Sequence, residues 1–162
     1  MKRTIWLAVG FTLLGCSEGS RDGAETSTPA VATGEVAPAT GLIDPNSATR
    51  DQVLTAPAMS EAAGEAVLAG RPYDDMLEVD RVLAQHLNEQ QRDSVYARLW
   101  RPLDLNTATA DEILLIPGIG PRMRHEFEEY RPYTSIAQFR REIGKYVDDD
   151  EVARLEQYVT IR

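Results

Sequence analysis

The sequence predicts an all-α protein made of two similar units of about four short helices each, following a flexible tether. Three observations carry this expectation. Sliding residues 42–101 over 102–161 at a fixed offset of 60 superimposes the two stretches without a gap, as expected of an internal duplication. Each copy contains two box-like helix starts at matching places, and no segment alternates apolar and polar residues with period two over a useful length. Eleven positions are identical between the copies, and they cluster: Asp44, Asn46, Ala48, Thr49, Asp51, Leu54 and Pro57 fall on Asp104, Asn106, Ala108, Thr109, Asp111, Leu114 and Pro117. Arg71-Pro72-Tyr73 falls on Arg131-Pro132-Tyr133. Clustering of this kind argues for duplication over coincidence.

The first helix of each copy is expected to begin at a capping box, Thr49 with Gln52 and Thr109 with Glu112. It should bury Val53 and Leu54, or Ile113 and Leu114, and stop at Pro57 or Pro117. The second runs to about Ala69 or Tyr130. In the second copy Met123, Phe127 and Tyr130 keep one face apolar at helical spacing. Arg-Pro-Tyr then breaks the chain.

A third helix starts at a second box, Asp75 with Glu78 or Ser135 with Gln138. It carries Met76, Val79 and Leu83, or Ile136, Phe139 and Ile143, at i, i+3 and i+7. The last helix opens at Asn88 or at the run Asp148-Asp149-Asp150, and buries Val95 and Leu99, or Leu155 and Val159. Trp100 is placed to close the first unit against the second.

The start of the chain reads as an address. Met1-Lys2-Arg3 is basic, Thr4 to Leu14 is largely apolar, and the run closes at Leu13-Leu14-Gly15-Cys16. This is a secretory signal over 1–15, too short for a membrane-spanning helix of about 20 residues. Its last four residues resemble the lipobox of bacterial lipoproteins, which implies cleavage before Cys16 and acylation of that residue. The expected localisation is the cell envelope, lipid-anchored to the outer membrane and facing the periplasm or the cell surface. Ser17 to Gly41 is dominated by Ala, Gly, Ser, Thr and Pro without periodicity, so 16–41 is expected to be the lipidated cysteine and a flexible linker.

Composition narrows the function. With 43% hydrophobic and 27% charged residues, a packed core is feasible. Acidic side chains outnumber basic ones 26 to 17, giving a formal charge of -9, so any hold on nucleic acid must find its positive charge locally. Cys16 is the single cysteine, which excludes an internal disulfide and a cysteine-built zinc site. His86 and His125 are far apart and read as surface residues, and Asp148-Asp149-Asp150-Glu151 lacks the spaced ligands and glycine of a calcium loop. No nucleophile-base order, glycine-rich nucleotide loop or catalytic carboxylate pair can be argued. The expectation is a protein that is not an enzyme, with no cofactor and no metal.

The segment with chemistry in it is Leu115-Ile116-Pro117-Gly118-Ile119-Gly120-Pro121-Arg122. Two glycines flanking one aliphatic residue between helices permit positive φ values, so the turn can be tight while Ile119 drops into the core. Its backbone N–H groups and the N-terminus of the next helix form an anion site. Pro121 suits the first helical position. Arg122, Arg124 and His125 supply local positive charge.

At these residues the sequence resembles the helix-hairpin-helix family, in particular the ComEA-like DNA receptors of bacterial natural competence. Asp104-Leu105-Asn106-Thr107-Ala108-Thr109, Glu112, Leu114 and Pro117-Gly118-Ile119-Gly120-Pro121, followed by Tyr130-Arg131, stand in that family's order and spacing. The match covers residues 102–162 well and, through the internal repeat, 42–101 as a degenerate unit. The resemblance implies sequence-independent binding of double-stranded DNA through its backbone, outside the cytoplasmic membrane, with DNA uptake as the process it would serve. Mapped onto this chain, the phosphate contacts come from the N–H groups of Gly118, Ile119 and Gly120, with Arg122 and Arg124 adding charge.

The chain departs from the family's pattern in places. Where a second glycine hairpin is usual, this chain has Tyr146-Val147-Asp148-Asp149-Asp150-Glu151, with four carboxylates. In the first copy the hairpin has become Pro57-Ala58-Met59-Ser60-Glu61, and its companion is Leu87-Asn88-Glu89-Gln90-Gln91. Residues 102–162 hold 12 acids against 8 bases and residues 42–101 hold 10 against 6, a net -4 in each. A distant similarity to the extrinsic helix-hairpin-helix subunit of photosystem II implies an alternative: a structural, protein-binding subunit of an envelope complex that binds no DNA.

Overall fold

The computed structural model describes residues 41–162, and the fold is helical. The signal segment 1–15, Cys16 and the linker up to residue 40 lie outside the described residues. The elements are α1 (Arg50–Leu54), α2 (Glu61–Ala69), α3 (Met76–Leu83), α4 (Glu89–Tyr96), β1 (Leu103–Asp104), α5 (Ala110–Leu114), α6 (Pro121–Glu129), α7 (Ile136–Ile143), α8 (Asp149–Glu156) and β2 (Val159–Thr160). Each of α5 to α8 starts and ends 60 residues after its counterpart among α1 to α4.

The helix starts follow from local chemistry. Thr49 and Thr109 cap α1 and α5 in full boxes, each hydroxyl accepting from the third helical N–H while Gln52 or Glu112 accepts from the cap's own N–H. Asp75 and Ser135 cap α3 and α7, but here the returning side chain overshoots by one residue. Glu78 accepts from the N–H of Asp74 at 2.8 Å and Gln138 from that of Thr134 at 2.9 Å. Asn88 and Asp148 cap α4 and α8.

The repeat identities have a structural reason. The Asn46 side chain accepts from the N–H of Tyr73 at 2.8 Å and donates to its carbonyl at 2.9 Å. Asn106 does the same to Tyr133, at 2.7 and 2.9 Å. Arg71 and Arg131 each donate to the carbonyl of Ala48 or Ala108 at 2.7 Å. Asp44 and Asp104 accept from the N–H of Asn46 and Asn106 and hold those side chains' backbone in place. Asp-x-Asn-x-Ala and Arg-Pro-Tyr are therefore two halves of one polar lock, which ties the chain entering each unit to the turn between its second and third helices. Backbone groups of a turn need such partners wherever water is excluded.

No segment alternates with period two, yet two short strands form. β1 and β2 pair in parallel, Leu103 opposite Val159 and Asp104 opposite Thr160, and the first unit has the equivalent bridge between Ile43 and Leu99. Each unit thus closes its chain end against its own beginning. Leu99 and Val159 are buried as expected, but in these bridges beyond the ends of α4 and α8. A two-residue strand is too short to leave a periodic signature.

Trp100 joins the units. It is fully buried, its ring meets Tyr96 edge-on at 5.9 Å and Tyr158 at 5.2 Å, and its indole N–H donates to the carbonyl of Tyr158 at 3.0 Å. Leu114 corrects the sequence reading. It is 38% exposed, whereas its counterpart Leu54 is half-buried against Gly64, where an added Cβ would stand 2.8 Å from the Leu54 Cδ2. The second unit has Arg124 in place of Gly64, so that docking surface is gone. The first-unit hairpin keeps its shape although its glycines are lost. Ala58 has φ 59°, and Met59 still donates to the Ala56 carbonyl across the turn at 3.2 Å. A left-handed alanine costs about 1 kcal/mol, so Ala58→Gly should raise the urea midpoint by an equivalent of up to about 1 kcal/mol. An unchanged or lower midpoint would remove strain from the account.

Candidate nucleic-acid interface

The hairpin between α5 and α6 is built in two steps. Ile119 donates to the carbonyl of Ile116 at 3.0 Å, closing a turn with Pro117 and Gly118 at its centre, and Gly118 takes the positive φ of 82°. Ile119 is 9% exposed and anchors the turn in the core. Gly120 then starts α6 with φ −103° and ψ 177°, an extended conformation open to any residue. Of the two glycines, Gly118 is required by the backbone. Gly120 contributes bareness, because a Cβ there would meet nothing within 4 Å and would project into open space.

That bareness leaves donors unspent. Seven of the eight helices have a side chain accepting from their first turn, and α6 does not. At α2 the Ser60 hydroxyl accepts from the N–H of Ala63 at 3.1 Å, while the matching N–H of Met123 has no partner among the described residues. The N–H groups of Gly118, Gly120 and Arg122 are likewise unpartnered there. Of the expected amide donors, Gly118 and Gly120 remain available. The Ile119 N–H does not, because it closes the turn, a correction that follows from the tightness a Pro-Gly centre imposes.

The charges sort unequally. Arg122 is exposed and makes no ion pair among the described residues. Arg124 donates to Glu128 at 2.6 Å and is thereby mostly offset, and His125 stands 3.6 Å from Glu129. The Asp148-Asp149-Asp150-Glu151 run does what its position suggests: Asp148 caps α8 by accepting from the N–H of Glu151 at 2.9 Å, so the start of that helix is already filled by a carboxylate.

Sequence reasoning missed Arg154, which reaches the hairpin from α8. It donates to the Pro117 carbonyl at 2.9 Å and to both oxygens of Glu151 at 2.7 Å, with its guanidinium 5.5 Å from the centre of the Tyr158 ring. Hydrogen bonding to Glu151 raises its pKa above the ordinary arginine value, and Arg154 in turn holds the Glu151 carboxyl below the ordinary carboxylate range. A spacing of 37 residues between Pro117 and Arg154 leaves no signal in a local motif.

Beside the cradle is a cleft of about 240 Å³ lined by Gly120, Arg122, Met123, Glu126 and Tyr146. Glu126 is 8% exposed and its Oε2 has no hydrogen-bond partner. The hydroxyls of Tyr146 and Tyr130 meet at 2.8 Å, and that bond, aided by Glu126, raises the Tyr146 pKa. Among the described residues no group of three His, Cys, Asp or Glu side chains is placed to hold a metal ion, and no helix is long and apolar enough to cross a membrane.

The arrangement offers a set of unpartnered N–H donors at a helix N-terminus, one unpaired arginine and a second, partnered arginine: chemistry suited to holding one or two phosphate oxygens. Compared with protein-family models, with curated proteins and with solved structures, the chain finds no match.

Proposed function

We propose that this chain is an envelope lipoprotein of two tandem helix-hairpin-helix units, of which the second binds double-stranded DNA without regard to sequence. In this reading Cys16 carries the lipid, the segment up to residue 41 is the tether, and the protein faces the periplasm or the cell surface, where it holds incoming DNA. The observation that carries the reading is that α6 alone among the eight described helices has no side-chain cap, directly after Gly118 and Gly120 and beside an unpaired Arg122. Backbone amides at such a place favour a phosphate. In the first unit the same turn exists but Ser60 fills it, and Arg50 is held between Glu61 and Glu65, so that unit serves as scaffold.

A second reading has a specific observation of its own. Each unit has a net charge of -4, and Arg124 is paired with Glu128 inside its own helix, which suits a protein-binding subunit of an envelope complex. Titration of duplex DNA at several salt concentrations separates the two. Binding through one cradle should weaken with salt on a shallow log–log slope of about −1 to −3, since about 0.9 is lost per phosphate neutralised. No binding at low salt would overturn the DNA reading and favour the protein partner.

A further inference from the structure

We propose that Arg154 is a phosphate-binding residue of the same cradle, delivered from α8 and held in place by Glu151; this rests on the DNA reading above. Arg154 is the one side chain from another helix that bonds to the hairpin backbone between Ile116 and Gly120 among the described residues, through the Pro117 carbonyl. Its Nη2 would stand 3.4 Å from a Cβ on Gly118, so the guanidinium lies alongside a residue whose amide has no partner among the described residues.

A guanidinium has five N–H donors in a rigid fork. Arg154 spends those of Nε and Nη2 on Glu151 and Pro117. Its Nη1 makes no hydrogen bond among the described residues and is not among the fully buried unpartnered atoms, so that arm of the guanidinium is unspent. The side chain is 34% exposed, and Tyr158 beneath it limits its swing. With Nε and Nη2 spent no bidentate edge is left, so the remaining arm offers a phosphate oxygen a single charge-assisted hydrogen bond from a guanidinium that is already oriented.

The first unit supplies an internal comparison. Its hairpin amide is capped by Ser60, and the position matching Arg154 is Ser94, which bonds back to Gln90 in its own helix. The open cradle and the cross-helix arginine occur together in one unit and are missing together from the other.

Glu151 is then both support and brake. It orients the fork and cancels its charge, so the pair contributes direction more than attraction. Removing the carboxylate's charge should strengthen DNA binding, whereas a purely structural strut would loosen and weaken it.

The test is a duplex titration of the full chain across salt with wild type, Arg154→Gln, Glu151→Gln and Gly118→Asp, each checked for its thermal midpoint. Arg154→Gln is expected to weaken binding about tenfold and to lower the salt slope by about 0.9, the increment for one phosphate contact. Glu151→Gln should tighten binding several-fold. If Gly118→Asp abolishes binding while Arg154→Gln matches wild type in affinity and salt slope, Arg154 is structural and the assignment is overturned with the cradle intact. Absence of wild-type binding at low salt overturns both readings.

Discussion

Gly118→Asp should abolish duplex binding, with a loss of at least about 100-fold in affinity at low salt. Two effects add. The new carboxylate is placed at the cradle mouth, where repulsion of a phosphate about 4 Å away is worth roughly 4 kcal/mol at the effective dielectric of a protein surface. Each 1.4 kcal/mol is about a factor of ten. The side chain also forces a φ of 82° on a residue with a Cβ, which costs about 1 kcal/mol of stability. Ala58 is the matched control, since it already tolerates a φ of 59° at the corresponding position. Ala58→Asp should therefore leave the affinity within about twofold while imposing a comparable local charge. Equal losses from the two substitutions would mean that long-range charge, and not the α6 cradle, governs the interaction. Fluorescence anisotropy on a labelled duplex, with circular dichroism to verify folding, reads both.

Trp100→Ala should be the most destabilising single change in the described chain, by about 3–5 kcal/mol. The indole is buried at 1% exposure, packs edge-on against Tyr96 and Tyr158, and donates to the Tyr158 carbonyl beside the Leu103 N–H. Its removal leaves a cavity where the first unit meets the second and strips a hydrogen bond from a buried backbone group. Against total stabilities of about 5–15 kcal/mol, that loss is enough to unfold a marginal domain. Urea denaturation followed by tyrosine fluorescence and far-UV circular dichroism would detect it. Trp100→Phe keeps part of the stacking and loses the N–H donor, so its cost should be intermediate. A cost below about 1 kcal/mol for Trp100→Ala would show that the units do not depend on this contact.

Much of the helical plan was legible because it is written in short-range chemistry. Thr49 with Gln52, Thr109 with Glu112, Asp75 and Ser135 announce helix starts within four residues, and the structure starts a helix at each. The offset of 60 was equally legible, since every described helix has its counterpart at that spacing. The exposure of Leu114 was not, because it depends on whether residue 124 is an arginine or, as at Gly64, a glycine on the neighbouring helix.

The candidate site divides in the same way. Gly118, Gly120 and Arg122 stand together in one local motif, and the structure keeps them together at the α6 start. The motif also offers the Ile119 amide, which the turn consumes, and the Arg124 charge, which Glu128 offsets. A sequence names donors and charges; it does not reveal which have already been spent on a neighbour.

By itself, then, the sequence determined the helical class, the twofold repeat and the position of the glycine hairpin, because caps, prolines and glycines act within a few residues of where they stand. Only the tertiary structure decided that Asn46 and Asn106 lock distant turns and that Arg154 comes to lie beside Gly118. These depend on groups 27 to 37 residues apart meeting in space, and their contact energies exist only once the chain has folded.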